Sequence, residues 1–424
     1  MKYCSLEEFE NKVLNKNGDW YILSDNFSKK NIHGIFLNHL SIFDKIERGT
    51  ISQDKEIVNK ILYFLKSDKS KEKIEEYEKL GISILEKSAI GSIMGMAIGD
   101  AMGSTYEFRH VEYDKIDLFD MEREREGNFN LEPGQWTDDC SMGLCLADSL
   151  LVNNGELIIK DLMLRFLAWN FGGYNNAFRN NEKNGLRPRH SVGLGGNISM
   201  ALHRYFYYQE EETKAGDKNT SGNGSIMRNA AIPICFYYDI NNACEMAKKQ
   251  SLSTHQGLEA KECCSLLTFI IITIFNEKDK KNLKEILDNI GNTFKTSEKT
   301  VDYLAKSKPD TEWNWKKDKF RYNKEREWRN PGYIGSYAMD NMAMSLHIIY
   351  HTESFKNAII KAVNIRGDSD SVASVVGQIA GAYYPIEEIP PTWIERINKW
   401  DDGEIALRGY MLSRLNSKKS KYDK

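Results

Sequence analysis

The chain has 424 residues, which allows either one large domain or two domains of ordinary size. It carries 58 Lys and Arg against 61 Asp and Glu, a formal net charge of −3, and this near-balance excludes a protein whose main task is to coat nucleic acid or an anionic membrane. Hydrophobic residues make up 41% and aromatic residues 11% of the chain, which is enough for a sizeable core and too much for a disordered protein.

Targeting, membrane and cysteine patterns lead us to expect a soluble, cytoplasmic protein. The first residues, MKYCSLEEFE, are acidic where a signal peptide would be apolar. The longest nearly apolar run, Cys263 to Phe275, is shorter than the about 20 residues of a membrane span and predicts a buried helix. The seven cysteines form no CxxC pair and are odd in number, which argues against a disulfide framework or a zinc ribbon.

The predicted elements are helices along the whole chain. Before residue 85 the sequence is rich in Lys and Glu, and apolar residues from Ile57 to Leu65 recur at helical spacing. Residues 1–85 are therefore predicted to form an N-terminal helical extension, whose role is unknown. Helical spacing continues over residues 158–167 and 355–363, and no run of alternating strands is found. The prediction is an all-α protein with one compact multi-helix domain over residues 86–415 and a flexible tail over 416–424.

Two helices of the predicted domain carry a small residue at every fourth position. These residues are Gly91, Gly95, Gly99 and Gly103 in the first helix and Ala373, Gly377 and Gly381 in the second. A four-residue step keeps them on one helical face, where missing side chains let another backbone approach. Glycine inside a helix costs roughly 1 kcal/mol relative to alanine, so its repeated use implies close packing. Because Asp100 and the polar flanks exclude a membrane dimer, we predict two buried central helices.

Two short segments place carboxylates and hydroxyls at the start of a helix. They are Trp136-Thr137-Asp138-Asp139 and Arg366-Gly367-Asp368-Ser369-Asp370-Ser371. Ordinary N-capping explains one such segment alone, but a cap needs only one acceptor and each segment supplies three oxygen-bearing residues. Four carboxylates brought together would repel unless a cation neutralised them. Oxygen ligands without a nearby His or Cys select a hard cation such as Mg²⁺ or Mn²⁺.

Three further features are ambiguous when each is taken alone. Glu107 follows the first glycine-rich helix and is either a fifth carboxylate of the site or an ordinary surface glutamate. The loop Gly222 to Ser225 (GNGS) predicts a tight turn whose backbone N–H groups suit phosphate oxygens, although plain loops share this composition. His255, in the segment Ser253-Thr254-His255, is either structural or part of a ligand site.

Taken in order, these segments resemble the ADP-ribosylglycohydrolase family. The resemblance rests on Ile98-Gly99-Asp100 with Ser104 to Glu107, on WTDD, on GNGSIMR, on STH, and on GDSDS followed by GQIAGAYYP. It covers roughly residues 88 to 400 and leaves the N-terminal extension unexplained. That family includes ADP-ribosylarginine hydrolases, ADP-ribosylserine hydrolases and the dinitrogenase reductase-activating glycohydrolase. Its members are all-α domains with a binuclear Mg²⁺ or Mn²⁺ centre in a central cleft.

The resemblance implies a role for each matching residue. Two Mg²⁺ (or Mn²⁺) ions would be ligated by Thr137, Asp138, Asp139, Asp368, Asp370 and Ser371. The diphosphate of ADP-ribose would be held by Gly222, Asn223, Gly224 and Ser225, with His255 beside the same ligand. Glu107 matches a mobile glutamate that is viewed as both a metal ligand and a catalytic gate, and Asp100 would be structural.

The implied reaction is hydrolysis of the N- or O-glycosidic bond between ADP-ribose and an acceptor, through an oxocarbenium-like state. The two cations would fix the ribose hydroxyls and make a water more acidic, and a carboxylate among Glu107, Asp138 and Asp370 would orient or deprotonate that water. The partner would be an ADP-ribosylated protein, with arginine slightly preferred over serine, or a small ADP-ribose conjugate. Neither a membrane nor a nucleic acid is required.

The sequence departs from the usual family pattern Gly-Gly-Asp-Thr-Asp-Thr. Arg366 replaces the first glycine, where it either contacts a phosphate or points away, and serines replace both threonines, as in the ADP-ribosylarginine branch. The insert at residues 311–329 mixes basic and aromatic residues, which suits base stacking, an acidic partner, a site rim or a surface segment packed by its tryptophans. The alternative to an enzyme is a non-catalytic ADP-ribose-binding or structural, crystallin-like member, and the retained carboxylates favour the enzyme.

Overall fold

The computed structural model describes residues 48–114, 127–177, 191–208, 210–213, 220–277 and 282–415. Within these ranges the chain forms helices and two isolated β-bridges, and no strand longer than a bridge. The all-α prediction is therefore confirmed. In chain order the helices are α1 (Arg48–Lys66), α2 (Lys71–Glu78), α3 (Ile84–Gly103), α4 (Asp138–Val152), α5 (Ile159–Gly172), α6 (Gly196–Tyr208), α7 (Ala231–Cys235), α8 (Ile240–Leu252), α9 (Leu258–Asn276), α10 (Leu283–Thr293), α11 (Lys299–Ala305), α12 (Lys324–Arg329), α13 (Ala338–Tyr350), α14 (Phe355–Ile365), α15 (Ser369–Tyr383), α16 (Pro391–Asp401) and α17 (Glu404–Leu415). Among the described helices, none has both the length and the apolar character needed to cross a membrane.

Helices α3 and α15 form the centre of the molecule and pack through their glycine faces. A Cβ atom built at Gly95 would overlap the carbonyl oxygen of Gly377, and one built at Gly91 would overlap that of Gly381. Helix α3 begins with a capping box, in which the Glu86 N–H donates to the Ser83 hydroxyl at 3.2 Å and the Glu86 carboxylate accepts from the Ser83 N–H at 2.8 Å. The prediction of two buried central helices is confirmed.

The remaining helices surround this pair and leave one end of it free for loops. Helices α13 and α14 pack against α15, while α17 packs against α3 and α4. Helices α8 and α9 form an antiparallel pair, and α9 also contacts α15. The amino-terminal ends of α4 and α15 come together at the end of α3, where the last glycine of its face, Gly103, leaves no room for a Cβ beside the backbone of Asp370.

The first two described helices belong to the same hydrophobic core as the rest. Val58 and Leu62 of α1 are buried, and α1 packs against α16 and α17. Tyr77 of α2 stacks on Phe64 at 4.0 Å and donates its hydroxyl to Glu387 at 2.8 Å. The other parts of the predicted extension and tail, residues 1–47 and 416–424, lie outside the described residues. The proposed division near residue 85 stays a prediction.

Candidate metal centre and ligand cleft

The start of α4 is held by a carboxylate from α3. Asp100 accepts hydrogen bonds from the Thr137 N–H at 2.9 Å, the Thr137 hydroxyl at 2.8 Å and the Cys140 N–H at 2.8 Å. The Thr137 side chain makes no capping bond of its own, although it occupies the N-cap position. Asp100 thus serves as an external cap for α4, which is the structural role expected for it.

The start of α15 is held by neighbours from two loops. The Asp368 carboxylate accepts hydrogen bonds from the Ser336 hydroxyl and, at 3.2 Å, from the Asn223 side-chain amide. On the opposite side, the Ser369 hydroxyl donates to the carbonyl oxygen of Gly103 at 2.7 Å. The first turn of α15 therefore links the glycine loop to the central helix α3.

The two helix starts and Glu107 bring their carboxylates together. One oxygen each from Asp100, Asp139 and Asp370 lie within 4.8 Å of one another, and so do single oxygens from Glu107, Asp368 and Asp370. All of these side chains are buried. The surface-glutamate interpretation of Glu107 is wrong, since only 8% of that residue is exposed.

The cluster is electrostatically costly without a compensating positive charge. Burial, and then the neighbouring carboxylates, raise the pKa of Glu107, Asp139 and Asp370 well above the ordinary range. Burial, followed by the charge of Asp100, does the same to the pKa of Asp138. Burial also raises the pKa of Asp100, to about 6. Buried carboxylates in such numbers either take up protons or share a cation.

Two oxygens of the cluster lack any hydrogen-bond partner. They are Glu107 Oε2 and Asp139 Oδ1, and both are buried. Unpartnered buried acceptors are rare, because each one forfeits its hydration without a replacement. An all-oxygen donor set with unpartnered acceptors fits a hard divalent cation, and the residues present therefore suit Mg²⁺ or Mn²⁺.

The glycine loop forms one wall of a cleft of about 590 Å³ that reaches the carboxylates. The Asn223 N–H donates to the Ser336 carbonyl at 2.8 Å, and its side-chain amide donates to the Gly335 carbonyl at 3.1 Å. Gly222 and Gly224 line the cleft, and a Cβ at Gly224 would crowd the His255 ring, 2.8 Å from Cε1. Glycine is needed here because the imidazole occupies the space of a side chain.

His255 lines the cleft as a neutral imidazole. Burial, reinforced by the charge of Arg228, lowers the pKa of His255 to about 3. Its Nδ1 is paired with the Thr254 hydroxyl at 2.8 Å, and its Nε2 side lies against Gly222. The ring can therefore exchange a hydrogen bond with a ligand in the cleft without adding charge.

The predicted site residues do not all face the cleft. Glu107, Asp138, Asp368, Asp370 and Ser371 line it together with the glycine loop. Asp139 and Thr137 lie behind them, and the Thr137 hydroxyl is 3.4 Å from Asp370 Oδ2. Ser225 is fully buried, and its hydroxyl accepts a hydrogen bond from Ser251 at 2.8 Å. The side chain of Ser225 thus points into the core, and only its backbone belongs to the glycine loop.

Other residues of the cleft were not predicted. Ser336 and the segment 193–198 line it, and Phe108, Phe129 and Tyr333 form an aromatic rim. The Phe108 ring lies 4.6 Å from Tyr333 and 6.4 Å from Phe129. The Gly193-Leu194-Gly195-Gly196 cluster was visible in the sequence and could have drawn attention to this loop, whereas Ser336 and the rim belong to no recognisable motif.

Two ambiguous features of the sequence have clear positions. Arg366 points away from the cleft, pairs with Glu112 at 2.6 Å and lies 5.6 Å from the centre of the Tyr106 ring. In the insert at 311–329, Trp313 and Trp315 are buried, which confirms the interpretation as a segment packed by its tryptophans for those two residues. Phe320 and Tyr322 of the insert are buried as well, while its charged residues are exposed or half-buried.

Comparisons with known proteins agree with these features. A family model described as ADP-ribosylglycohydrolase matches residues 83–419. The chain is 29% identical to the ADP-ribosylarginine hydrolase Tri1 of Serratia proteamaculans, over 73% of this chain and 75% of that protein, and 30% identical to the protein of the same name from Pseudomonas putida, over 73% and 74%. It is 24% identical to the ADP-ribosyl-[dinitrogen reductase] glycohydrolase of Rhodospirillum rubrum, over 75% and 92%. A solved structure titled ADP-ribosylglycohydrolase-related protein complex superposes with a TM-score of 0.57 at 26% identity, covering 78% of this chain and 100% of that one.

Proposed function

Because the chain belongs to the ADP-ribosylglycohydrolase family and is an ADP-ribosylhydrolase, we propose that it removes ADP-ribose from arginine side chains with the help of two divalent cations. The observation that carries this proposal is one cleft in which buried carboxylates with unpartnered oxygens stand beside a glycine loop and a neutral imidazole. The coarser activity, hydrolysis of ADP-ribose conjugates, follows from the family. What we propose beyond this activity is that the acceptor is arginine and that two divalent cations take part.

The cations would be held by oxygens from both helix starts. The donors are Thr137, Asp138, Asp139, Asp368, Asp370 and Ser371, with Glu107 beside them. When bound, Mg²⁺ or Mn²⁺ supplies positive charge that acidifies water and stabilises charge developing on oxygen. The protein's own contribution is to keep these carboxylates close together and dehydrated before any ion arrives.

Glu107 is the side chain best placed to handle a proton. It lines the cleft, it is adjacent to Asp368 and Asp370, and its Oε2 has no hydrogen-bond partner, so this oxygen is free to accept a proton and return it. In the proposed step, a water oxygen bonds to the anomeric carbon as the bond from that carbon to the acceptor nitrogen breaks. One proton of the water passes to the carboxylates, and a proton from the same cluster passes to the departing nitrogen, which keeps the electron pair of the broken bond. Asp138 and Asp370 are the alternative bases.

The glycine loop and His255 suit the diphosphate of ADP-ribose. Backbone N–H groups of a glycine turn donate to phosphate oxygens without a side chain in the way, and the candidates are those of Gly222 and Gly224, since the Asn223 N–H already donates to Ser336. The neutral imidazole of His255 adds a polar edge with no charge that competes with the cations. In this arrangement the diphosphate lies at the glycine loop and the distal ribose at the carboxylates.

Arginine is favoured as the acceptor by two observations. The relatives at 29% and 30% identity are named ADP-ribosylarginine hydrolases, whereas human ADP-ribosylhydrolase ARH3 is 20% identical. In addition, Phe108 follows Glu107 directly and forms the aromatic rim with Tyr333. A planar guanidinium stacks well on such rings, and a serine hydroxyl gains nothing from them.

The test is release of ADP-ribose from two peptides, one modified on arginine and one on serine. We expect release from the arginine peptide in Mg²⁺ or Mn²⁺ and none after EDTA. Release from the serine peptide only would contradict the acceptor, and release that survives EDTA would contradict the cations. Binding of ADP-ribose without turnover of either peptide would contradict the catalytic proposal itself.

A further inference from the structure

A second groove of about 730 Å³ lies between residues 110–113 and the insert at 317–331. We call it the basic groove. Its defining side chains are those of Tyr113, Lys317, Lys319, Arg321, Lys324 and Trp328. None of the residues given a role in the ligand cleft lines it, and the family resemblance assigns it nothing.

The three lysines of the basic groove differ from the other cations of the insert, because they have no carboxylate partner among the described residues. No carboxylate of the described residues forms an ion pair with Lys317, Lys319 or Lys324, and all three are exposed. Arg321 pairs with exposed Asp114 at 3.1 Å and lies over the Tyr113 ring at 4.8 Å.

The other cations of the same insert each form an ion pair with a carboxylate. Lys316 pairs with Asp288 at 2.7 Å, Arg326 with Asp340 at 2.6 Å, and Arg329 with Glu325 at 2.5 Å. The excess of positive charge is therefore concentrated in the groove and is not a general property of the insert.

Trp328 lines the groove with an aromatic ring that is exposed to solvent. It is 81% exposed, whereas Trp313 and Trp315 of the same insert are buried. Packing of the insert thus needs the other two tryptophans and not this one. A large exposed aromatic beside unpaired cations is typical of a protein-binding surface, where aromatic and arginine side chains provide most of the affinity.

One short segment, residues 107–113, connects the basic groove to the ligand cleft. The Phe108 N–H donates to the Gly367 carbonyl at 2.8 Å, the Gly367 N–H donates to the Arg109 carbonyl at 2.9 Å, and the Glu112 N–H donates to the Ile365 carbonyl at 3.2 Å. Glu107 lies in the cleft at one end of this segment and Tyr113 in the groove at the other. Because a fully extended chain spans about 3.3 Å per residue, the two lie at most roughly 20 Å apart, within reach of a few residues of extended peptide.

We propose that the basic groove binds an acidic stretch of the acceptor protein, a few residues from the modified side chain. This inference rests on the proposed function, because it requires a protein acceptor whose ADP-ribose enters the cleft. Carboxylates spaced along a peptide can meet Lys319, Arg321 and Lys324 in turn. A continuous phosphodiester fits less well, because it carries a negative charge at every nucleotide and cannot avoid Glu327 and Asp114, which stand among the cations, whereas the carboxylates of a peptide can be spaced around them.

The test compares two peptides that carry one ADP-ribosylated arginine, flanked on both sides either by glutamates or by glutamines. The double variant Lys319→Glu/Lys324→Glu reverses the groove charge, and Lys71→Glu/Lys79→Glu on α2 makes the same change of net charge far from it. We expect the groove variant to raise KM for the glutamate peptide about tenfold at low ionic strength, with kcat unchanged. The glutamine peptide and the control variant should show no change, and added salt should shrink the difference. Trp328→Ala should raise KM for both peptides by severalfold.

Free ADP-ribosylarginine separates a failure of this inference from a failure of the proposed function. It fills only the cleft, so its turnover should be the same in the wild type and the groove variant. If it is turned over while both proteins treat the two peptides alike, the basic groove has no role in acceptor binding and the inference is overturned. If a single-stranded oligonucleotide competes with the glutamate peptide more strongly than an unmodified glutamate peptide does, the partner is a nucleic acid and the inference is wrong. If free ADP-ribosylarginine is not turned over at all, the proposed function fails. Direct binding of the unmodified glutamate peptide to the wild type and to the groove variant, measured by isothermal titration calorimetry, then still decides whether the groove takes an acidic segment.

Discussion

The amino-terminal ends of α4 and α15 carry the same kinds of side chains and are held by different parts of the molecule. The start of α4 is fixed by Asp100, a buried residue of the central helix, through bonds to backbone and hydroxyl groups. The start of α15 is fixed through Asp368 by Asn223 and Ser336, which line the ligand cleft. The first helix start is thus held by the core and the second by residues of the ligand cleft. Changes in Asp100, which holds the first, should appear mainly in stability, and changes in the residues that hold the second should appear mainly in cation affinity and turnover.

The largest effect is expected from removing a carboxylate of α15. Asp370→Ala should reduce turnover at least about a thousandfold, because the cations lose a ligand that touches both carboxylate groups of the cluster. The helical fold should persist, and in EDTA the free energy of unfolding should not fall, since one of several repelling buried charges is gone. Turnover assays, circular dichroism and urea unfolding measure the three quantities. Asp368→Ala is the companion variant, and unchanged turnover in both would remove the cation proposal.

The start of α4 should respond in stability. Asp100→Ala leaves the N–H groups of Thr137 and Cys140 without their acceptor, and we expect the free energy of unfolding in EDTA to drop by about 2–4 kcal/mol. Asp100→Asn keeps one acceptor oxygen and should lose less. Urea unfolding with EDTA present separates this loss from any change in cation binding. If both variants unfold like the wild type, Asp100 is not the cap that holds α4.

A smaller effect is expected from the residues that orient Asp368. Ser336→Ala should lower the affinity for Mg²⁺ or Mn²⁺ by about tenfold, the usual scale for a neighbour that positions a ligand. Ser369→Ala is the matched control, because Ser369 sits on the same helix start and bonds to Gly103 on the side away from the cleft. Isothermal titration calorimetry with the metal alone measures the affinity. Equal affinities in the two variants would mean that the second helix start is not tied to the cleft.

The effect that is smallest near neutral pH concerns acid stability at the glycine loop. The pKa of His255 is lowered to about 3 in the folded chain, against about 6.5 when unfolded. Between these values the unfolded chain binds one more proton, so His255 makes the folded state less stable as pH falls from 6.5 towards 3. His255→Asn should reduce the slope of unfolding free energy against pH by roughly 1 kcal/mol per pH unit near pH 5. An identical slope in wild type and variant would show that this imidazole is not held neutral.

The features that the sequence predicts best are those with a spacing or a composition of their own. The glycine faces of α3 and α15 were predictable because glycine is costly inside helices and has to be explained by close packing. The carboxylates of the two helix starts were predictable because each segment holds more oxygens than capping needs. The role of each carboxylate, the preferred acceptor and the number of cations are still predictions.

The features that could not be predicted depend on long-range contacts. Ser336 belongs to the site only because the loop before α13 passes beside Asp368. The sequence around Ser336 contains no motif that predicts this contact. A loop motif does not specify the direction of its side chains, so the sequence could not show that the Ser225 hydroxyl faces the core. The inward position of Glu107 depends on Gly367 pairing with the backbone beside it, a contact between residues far apart in the chain.

The close contact between Gly103 and the backbone of Asp370 has a consequence for the binding of the proposed cations. The contact fixes the backbone that carries Asp370, so only side-chain rotamers remain to be ordered when an ion arrives, and the loss of entropy on binding is small. In the ion-free protein the carboxylates repel one another, and this repulsion lowers the stability of the folded state. A bound ion would remove the repulsion. Ion binding would then raise the melting temperature and slow proteolysis, since a ligand that prefers the folded state stabilises it. The concentration of divalent cations would therefore affect the lifetime of the folded protein as well as its turnover rate.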